Sequence, residues 1–435
     1  MRTGSLVVVL AAGTTLTACA IFWSGAGDLT GRIALHLAVH GVAFVAYLCA
    51  LAASRDLQGR RLAAALALAV AWRAALLPSP PLLSEDIYRY LWEGRVQSLG
   101  GNPYLREDRA SAEKWAPVRD ELWRSMAHKS YTAVYPPLWQ LAARAVTAAS
   151  HSVVAMKAFL VACELGVWAV LWALLRRRGL PSSRLLVVAW SPLALVEVAG
   201  SGHNDSFGLL LLCLGLLALD SGRRGGSAAA VALGAAAKLL PGIVAIAWVR
   251  RYRLRDVVLA AAVAALTLLP YASAGADLWR GASDYGSWRF NESLLAILDA
   301  VAPSRLAAQR AAALLVLVLA LALGLRRAEP VRAGLAVVAA WLVLSAHVLP
   351  WYALWLLPWL TLVDAPAALL FTGTIGFAYM VYPGSQSGAG WQVPWEIRAL
   401  EYLPPLAVLA WSRFERRICG LRHSSAGPPA HSVRA

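Results

Sequence analysis

Along the chain, apolar runs of about 17–25 residues alternate with short polar stretches, and none keeps strict period-two alternation. Backbone groups in lipid must be satisfied within the segment, so such runs predict membrane helices rather than a barrel. The pattern places segments near 5–23, 31–53, 62–77, 153–175, 184–200, 206–219, 257–273, 308–325, 331–349, 352–363, 366–381 and 397–412. The expectation is an all-α polytopic integral membrane protein with about 12–14 membrane helices. Residues 1–60 form two N-terminal membrane helices, 61–412 the main membrane domain with an outer loop over 78–150, and 413–435 a disordered cytoplasmic tail rich in Ser, Pro and Gly. The stretch Leu16-Thr17-Ala18-Cys19 is similar to a lipoprotein signal, but the apolar run continues through Trp23, which favours a first membrane helix.

Composition agrees with the pattern: 59% of the 435 residues are hydrophobic and 15% charged, with a mean hydropathy of +0.59. The formal charge of +16 raises the question of nucleic acid. The arginines, however, cluster in short loops between apolar runs (Arg60-Arg61, Arg176-Arg177-Arg178, Arg223-Arg224, Arg250-Arg251), which is the signature of cytoplasmic loops. Nucleic acid is therefore excluded as a partner, and membrane lipids are expected. The five scattered cysteines form no CxxC and no metal spacing, and act as small hydrophobes.

Two segments do not satisfy the charge rule as simple spans. If 137–150 crossed, the triple arginine would lie outside, so this run is expected at the outer surface or dipping partway in. The run 227–249 has arginines at both ends and is interrupted by Lys238 and Pro241, which predicts a hairpin or re-entrant pair with Lys238 at its tip. Residues 112–126 are expected to form a short interfacial helix.

With these signs the polar motifs converge on one face. The stretch 83–104 carries Glu85, Asp86, Arg89, Arg95 and Asn102 in a long outer loop. Gly202-His203-Asn204-Asp205 is a polar turn at the outer end of an apolar run. Tyr135, Arg289, His347 and Trp351-Tyr352 lie on the same side, and Lys238 joins them if the hairpin reaches far enough. A carboxylate at Glu85 or Asp86 could serve as a general base for an attacking hydroxyl, or as a helix N-terminal acid after a Ser84 cap. Arg89, Arg95, Lys238, Arg289 and His347 are candidates for holding a phosphate leaving group. Asn102, Tyr135, His203, Asn204, Asp205, Trp351 and Tyr352 are candidates for sugar or acceptor contacts, although turn and aromatic-belt roles suit several of them. Hydrolase, zincin and Walker motifs are absent from the sequence.

Read together, Ser84-Glu85-Asp86-Ile87-Tyr88-Arg89-Tyr90, Gly101-Asn102-Pro103-Tyr104, Tyr135-Pro136-Pro137, Gly202-His203-Asn204-Asp205, Lys238-Leu239-Leu240-Pro241 and His347 with Pro350-Trp351-Tyr352 resemble the membrane-embedded C-type glycosyltransferases. Within these, the resemblance is to the bacterial polyprenol-phosphate-mannose-dependent mannosyltransferases, over roughly residues 60–412. The resemblance implies an inverting transfer of a hexose, mannose first, from a polyprenyl-phosphate donor to a lipid-linked or cell-envelope glycan acceptor. It implies a bacterial inner membrane with the site on the periplasmic side, and Asp86 as the base with Glu85 second. No cofactor and no metal are expected, since one phosphate leaving group can be held by Arg and Lys. The chain departs from the simplest family layout by having two helices ahead of the one that precedes the acidic loop. A transporter or flippase of lipid-linked sugar is the rival. It shares the broken helix at Lys238 but would keep its key polar groups at mid-membrane.

Overall fold

A computed structural model describes residues 3–286, 288–386 and 391–425. Among them there is no β-strand, only one isolated bridge between Phe290 and His347. The chain opens with three helices, α1 (Thr3–Ala26), α2 (Ile33–Ala53) and α3 (Gly59–Leu76). The stretch 78–150 then contributes α4 (Asp86–Ser98), α5 (Glu121–Ser125) and α6 (Pro137–Ala149). The bundle resumes with α7 (Val153–Arg177), the short α8 (Leu186–Ala189) and α9 (Pro192–Ala194), a π-helical turn over Leu195–Gly200, and α10 (Asp205–Asp220). It continues through α11 (Arg224–Ala237), α12 (Leu240–Ile246), α13 (Leu254–Leu268) and α14 (Arg280–Gly286). The C-terminal part is α15 (Leu294–Val301), α16 (Arg305–Leu325), α17 (Pro330–Leu344), α18 (Leu357–Leu362), α19 (Pro366–Thr374), α20 (Val381–Gln386) and α21 (Trp395–Ser425).

Among the described residues, five helical stretches are long and apolar enough to cross a membrane, or six if the bent pair Ser182–Ala189 and Pro192–Gly200 is one span. The 12–14 spans expected from apolar runs are thus not matched by single helices of spanning length. The reason is local chemistry. Ser191-Pro192 bends the 184–200 run by 47°, because proline has no amide hydrogen to continue the ladder. Pro350 and Pro358 open the 3₁₀ turn Pro350–Leu356 and α18 instead of one helix over 352–363. Conversely, helical structure from Leu254 continues to Gly286, past the end of the 257–273 run, through a kink where Gly275 takes φ +51°. Pro117 lies in a 3₁₀ turn over Glu113–Val118, so 112–126 is that turn plus α5 rather than one helix. The last helix runs on to Ser425, past the 413 boundary expected for a disordered tail; residues 426–435 lie outside the described residues.

The core is aromatic: Trp23, Trp139, Trp248, Trp355 and Trp359 are all fully buried. Inside it, α10 packs on α7 and α11, and α11 on α13. Buried charges are closed onto partners. Arg73 of α3 grips Glu164 of α7 bidentately, Nε to Oε2 at 2.8 Å and Nη2 to Oε1 at 2.6 Å. Its Nη1 donates to the carbonyls of Ala69 and Ala189. Lys157 donates to the carbonyl of Ser79 at 2.8 Å and to that of Leu76 at 3.2 Å, using one ammonium to cap the carboxyl end of α3.

The stretch 78–150 is fixed to this bundle by α4 and α6, which lie against each other. They approach closely because Gly94 has no side chain: a Cβ there would sit 2.4 Å from Thr147 Oγ1 and 2.8 Å from the Ala143 carbonyl. Their seam carries a chain of paired amides and carboxylates. Gln140 donates to Glu93 at 2.7 Å, Gln97 donates to the Gln140 carbonyl at 3.1 Å, and Tyr271 donates to Gln97 at 2.6 Å. This seam places the first residue of α4, Asp86, over the ends of α10 and α11.

Candidate active site

Asp86 stands at the amino-terminal end of α4, its amide donating to Ser84 Oγ at 3.3 Å. Tyr135 donates its hydroxyl to Asp86 Oδ2 at 3.2 Å. Beneath it, the turn after the π-helical segment is pinned by backbone bonds from Ser201 to Val196 and from His203 to Glu197. Gly202 makes the turn possible. It takes φ +80°, and a Cβ would meet Ile87 Cδ1 at 2.5 Å, so both the left-handed backbone and the contact with α4 call for glycine. The turn presents His203 Nδ1 to Asp86 Oδ2 at 3.8 Å and Nε2 to Glu197 Oε2 at 3.4 Å. The ring lies flat on Trp351, centroids 3.7 Å apart at 17°.

Lys238 is at the break between α11 and α12, where its backbone is extended. Its Nζ pairs with Asp205 at 2.7 Å and reaches Asn204 Oδ1 at 3.2 Å. Asp205 is held in turn by Trp355 Nε1 at 2.5 Å. The ammonium also lies over the rings of Tyr135 and Tyr352, at 5.7 and 5.8 Å, within cation–π range. Tyr352 shares a hydroxyl contact of 3.2 Å with Tyr285, and His347 meets the Tyr285 ring edge at 4.7 Å.

Electrostatics follow from this crowding. The Asp86 side chain keeps 37% of its surface open. Enclosure by surrounding protein, opposed by the charges of Arg89 and Lys238, holds its carboxyl above the ordinary value. His203 is 1% exposed, and burial first, then Lys238, keep its imidazole well below its usual pKa. It is therefore neutral at neutral pH.

The structure brings together Asp86, Tyr135, His203, Asn204, Asp205, Lys238, Trp351 and Tyr352, with His347 at the edge. Glu85 is adjacent but exposed. The other candidates are engaged elsewhere. Arg89 donates to Glu93 at 3.2 Å and to the carbonyls of Ala127 and His128 at 2.9 and 2.6 Å, so its charge reaches Asp86 but its donors do not. Arg95 pairs with Asp120. Arg289 pairs with Glu292 and with Asp299 at 2.7 Å. Asn102 donates to Ser273 at 3.0 Å and braces its own turn. The donors of these four residues are taken up by tertiary partners and do not point at Asp86. Sequence reading missed Glu197 and Tyr379, whose hydroxyl donates to both Glu197 oxygens at 2.8 and 2.9 Å. An acid inside an apolar run is itself a signal, and Glu197 carried it. Among the described residues, no group of three or more His, Cys, Asp or Glu is arranged to hold a metal ion. A separate cavity of about 660 Å³ between Leu51, Arg55, Arg184 and Leu360 contains none of this cluster.

A family model described as alpha-(1->6)-mannopyranosyltransferase, N-terminal domain, matches residues 3–253, more than half of the chain. An alpha-(1->6)-mannopyranosyltransferase A of Mycobacterium tuberculosis (strain ATCC 25618 / H37Rv) is 28% identical over 195 residues, which is 43% of this chain and 37% of the relative. The match thus spans little over a third of that relative's length. No solved structure matches the chain.

Proposed function

The chain belongs to the alpha-(1->6)-mannopyranosyltransferase family, and from that premise we propose that it transfers mannose with inversion from a polyprenyl-phosphate carrier to a lipid-linked or envelope glycan acceptor. The single observation that carries the reading is the Asp86 recess. One partly open carboxylate, fixed through Oδ2 by Tyr135, stands near the Lys238 ammonium at the foot of an outer loop. In this reading the acceptor hydroxyl gives its proton to Asp86 while its oxygen attacks the anomeric carbon, and the carbon–oxygen bond to phosphate breaks with its electron pair leaving on the phosphate. Lys238 offsets the charge that develops there. Asp205, Asn204 and Trp355 keep the ammonium in place, and Trp351 and Tyr352 supply flat faces for sugar or prenyl chain.

The test is transfer of mannose in detergent from a synthetic polyprenyl-phosphate mannose to a mannosyl acceptor, which should give product with the inverted anomeric configuration. Movement of the lipid-linked sugar across proteoliposomes without transfer would favour the transporter reading instead. The buried charges within the bundle do not favour it, since Arg73, Glu164 and Lys157 are closed onto each other or onto backbone.

Lys238→Ala is expected to lower turnover about 10²-fold, the scale for removing one group that stabilises developing charge. Turnover within a few-fold of wild type, measured on monodisperse protein, would remove Lys238 from the leaving-group role. The outer-face assignment rests on the arginine bias of the loops. In a cysteine-free background, Glu107→Cys in the exposed part of the loop should react with an impermeant maleimide on intact cells, and Arg253→Cys should react only after lysis. The opposite pattern would invert the topology and place the recess in the cytoplasm.

A further inference from the structure

Behind Asp86 the polar contacts do not stop. His203 Nδ1 faces Asp86 Oδ2 at 3.8 Å, its Nε2 faces Glu197 Oε2 at 3.4 Å, and Glu197 receives the Tyr379 hydroxyl on both oxygens. His203 and Glu197 are each 1% exposed. Two carboxylates thus bracket one imidazole, and the outer of the two is the proposed base. We propose that His203 and Glu197 are positioning residues that set the orientation and basicity of Asp86, an inference that rests on the transferase reading above.

The geometry assigns the roles atom by atom. The proton shared between Glu197 and His203 Nε2 resides on Glu197, so the neutral ring carries its single proton on Nδ1, directed at Asp86. Oδ2 of Asp86 then faces two donors, the Tyr135 hydroxyl at 3.2 Å and the imidazole at 3.8 Å. The imidazole gap is longer than a hydrogen bond, and the proposal requires it to close in the complex with substrate. Oδ1 has no such partner and is the oxygen that takes the acceptor proton. Trp351, stacked on the ring, prevents the imidazole from tilting out of line. The π-helical turn serves the same end. It offsets the ladder by one residue and carries the Glu197 side chain to the same side as the His203 ring, while the His203 amide bonds the Glu197 carbonyl at 2.9 Å. A π-turn is an uncommon local structure that recurs at functional sites.

Other groups also act on Asp86 and are held constant in the test. Cationic Arg89 and Lys238 face it from α4 and from the α11–α12 break. Acidic Glu85, Glu93 and Asp205 oppose them. The phenols of Tyr90 and Tyr382 remain neutral around it, their burial raising them further from ionisation, and those of Tyr285 and Tyr352 also face it.

The pH profile of transfer discriminates positioning from simple packing. Removing a donor to an ionised carboxylate raises its pKa, so His203→Leu should move the acid limb of kcat upward by about one pH unit and lower the plateau about tenfold, with KM for the donor unchanged. His203→Asn, whose amide nitrogen can take the place of Nδ1, should restore the limb. Tyr379→Phe withdraws a donor from Glu197, holds the shared proton more tightly on it and weakens the Nδ1–H donor. It should shift the limb in the same direction by less, and it reads the proposal even where His203→Leu does not fold. An unmoved limb in active His203→Leu or Tyr379→Phe protein, or a KM change in place of a kcat change, would overturn the inference while leaving the transferase reading intact. A wild type that transfers no mannose would overturn both.

Discussion

Asp86→Asn is expected to slow mannosyl transfer by about 10²–10⁴-fold, the usual contribution of a general base, while donor binding stays close to wild type. The substitution keeps the volume and the oxygen that accepts from Tyr135 and removes only the ability to take a proton. The wild-type rate should fall as pH drops through the Asp86 pKa. That pKa lies above the ordinary carboxylate value of about 3.9, because enclosure in the recess outweighs the opposing charges of Arg89 and Lys238. The same enclosure carries a stability signature. A carboxyl whose folded pKa is raised binds its proton more tightly folded than unfolded, so its ionisation subtracts stability as pH rises through that window. At neutral pH Asp86→Asn should therefore unfold at a temperature no lower than wild type. Glu85→Gln, at an exposed position, should change turnover little. Retention of more than about a tenth of the rate by Asp86→Asn, outside the range for a general base, would exclude Asp86 as the base, and a dead Glu85→Gln would move the role one residue back.

Glu164→Leu should be the most destabilising single change in the bundle, at about 3–5 kcal/mol, the scale for stranding one partner of a buried pair. Arg73 has a fully buried side chain, and its partner is 5% exposed. A guanidinium cannot shed its charge, so without Glu164 it has only the Ala69 and Ala189 carbonyls and the face of Trp168, 4.4 Å away. The mirror change, Arg73→Met, strands a carboxylate, which can protonate, and should cost clearly less. The double variant should recover most of the loss, since replacing a whole buried pair with apolar groups of similar volume is close to neutral. Thermal unfolding in detergent of the two single variants and the double variant measures the asymmetry. Equal losses in the two single variants, or no recovery in the double, would show that packing rather than stranded charge sets the stability here.

How much of this was readable beforehand depended on where each residue's partners lie. Asp86, His203 and Lys238 interrupt or terminate apolar runs, and an interruption is visible along the chain. Their convergence followed from counting arginines in loops, which needs no tertiary information. Arg89, Arg95, Arg289 and Asn102 looked equally suited to a ligand, but Glu93, Asp120, Glu292 and Ser273 occupy them. Only folding brings Asn102 to Ser273, 171 positions away. Glu197 was passed over because hydropathy averaging absorbs one acid among valines and alanines, although that cost is the reason to look. Helix boundaries were less legible for a related reason: a run of apolar residues measures length in sequence, whereas Pro192, Pro350 and Pro358 decide where the hydrogen-bond ladder can continue.

The grip of Arg89 on the carbonyls of Ala127 and His128 has an evolutionary corollary. It ties the two roots of this excursion together, so everything between Leu99 and Met126 hangs from a closed neck. Lengthening such an excursion adds closure entropy only slowly, about 0.6 kcal/mol per doubling, and the Trp92, Trp115 and Met126 cluster seals it from within. That stretch can therefore change in length and sequence at small cost in closure entropy while the neck that holds α4 stays closed.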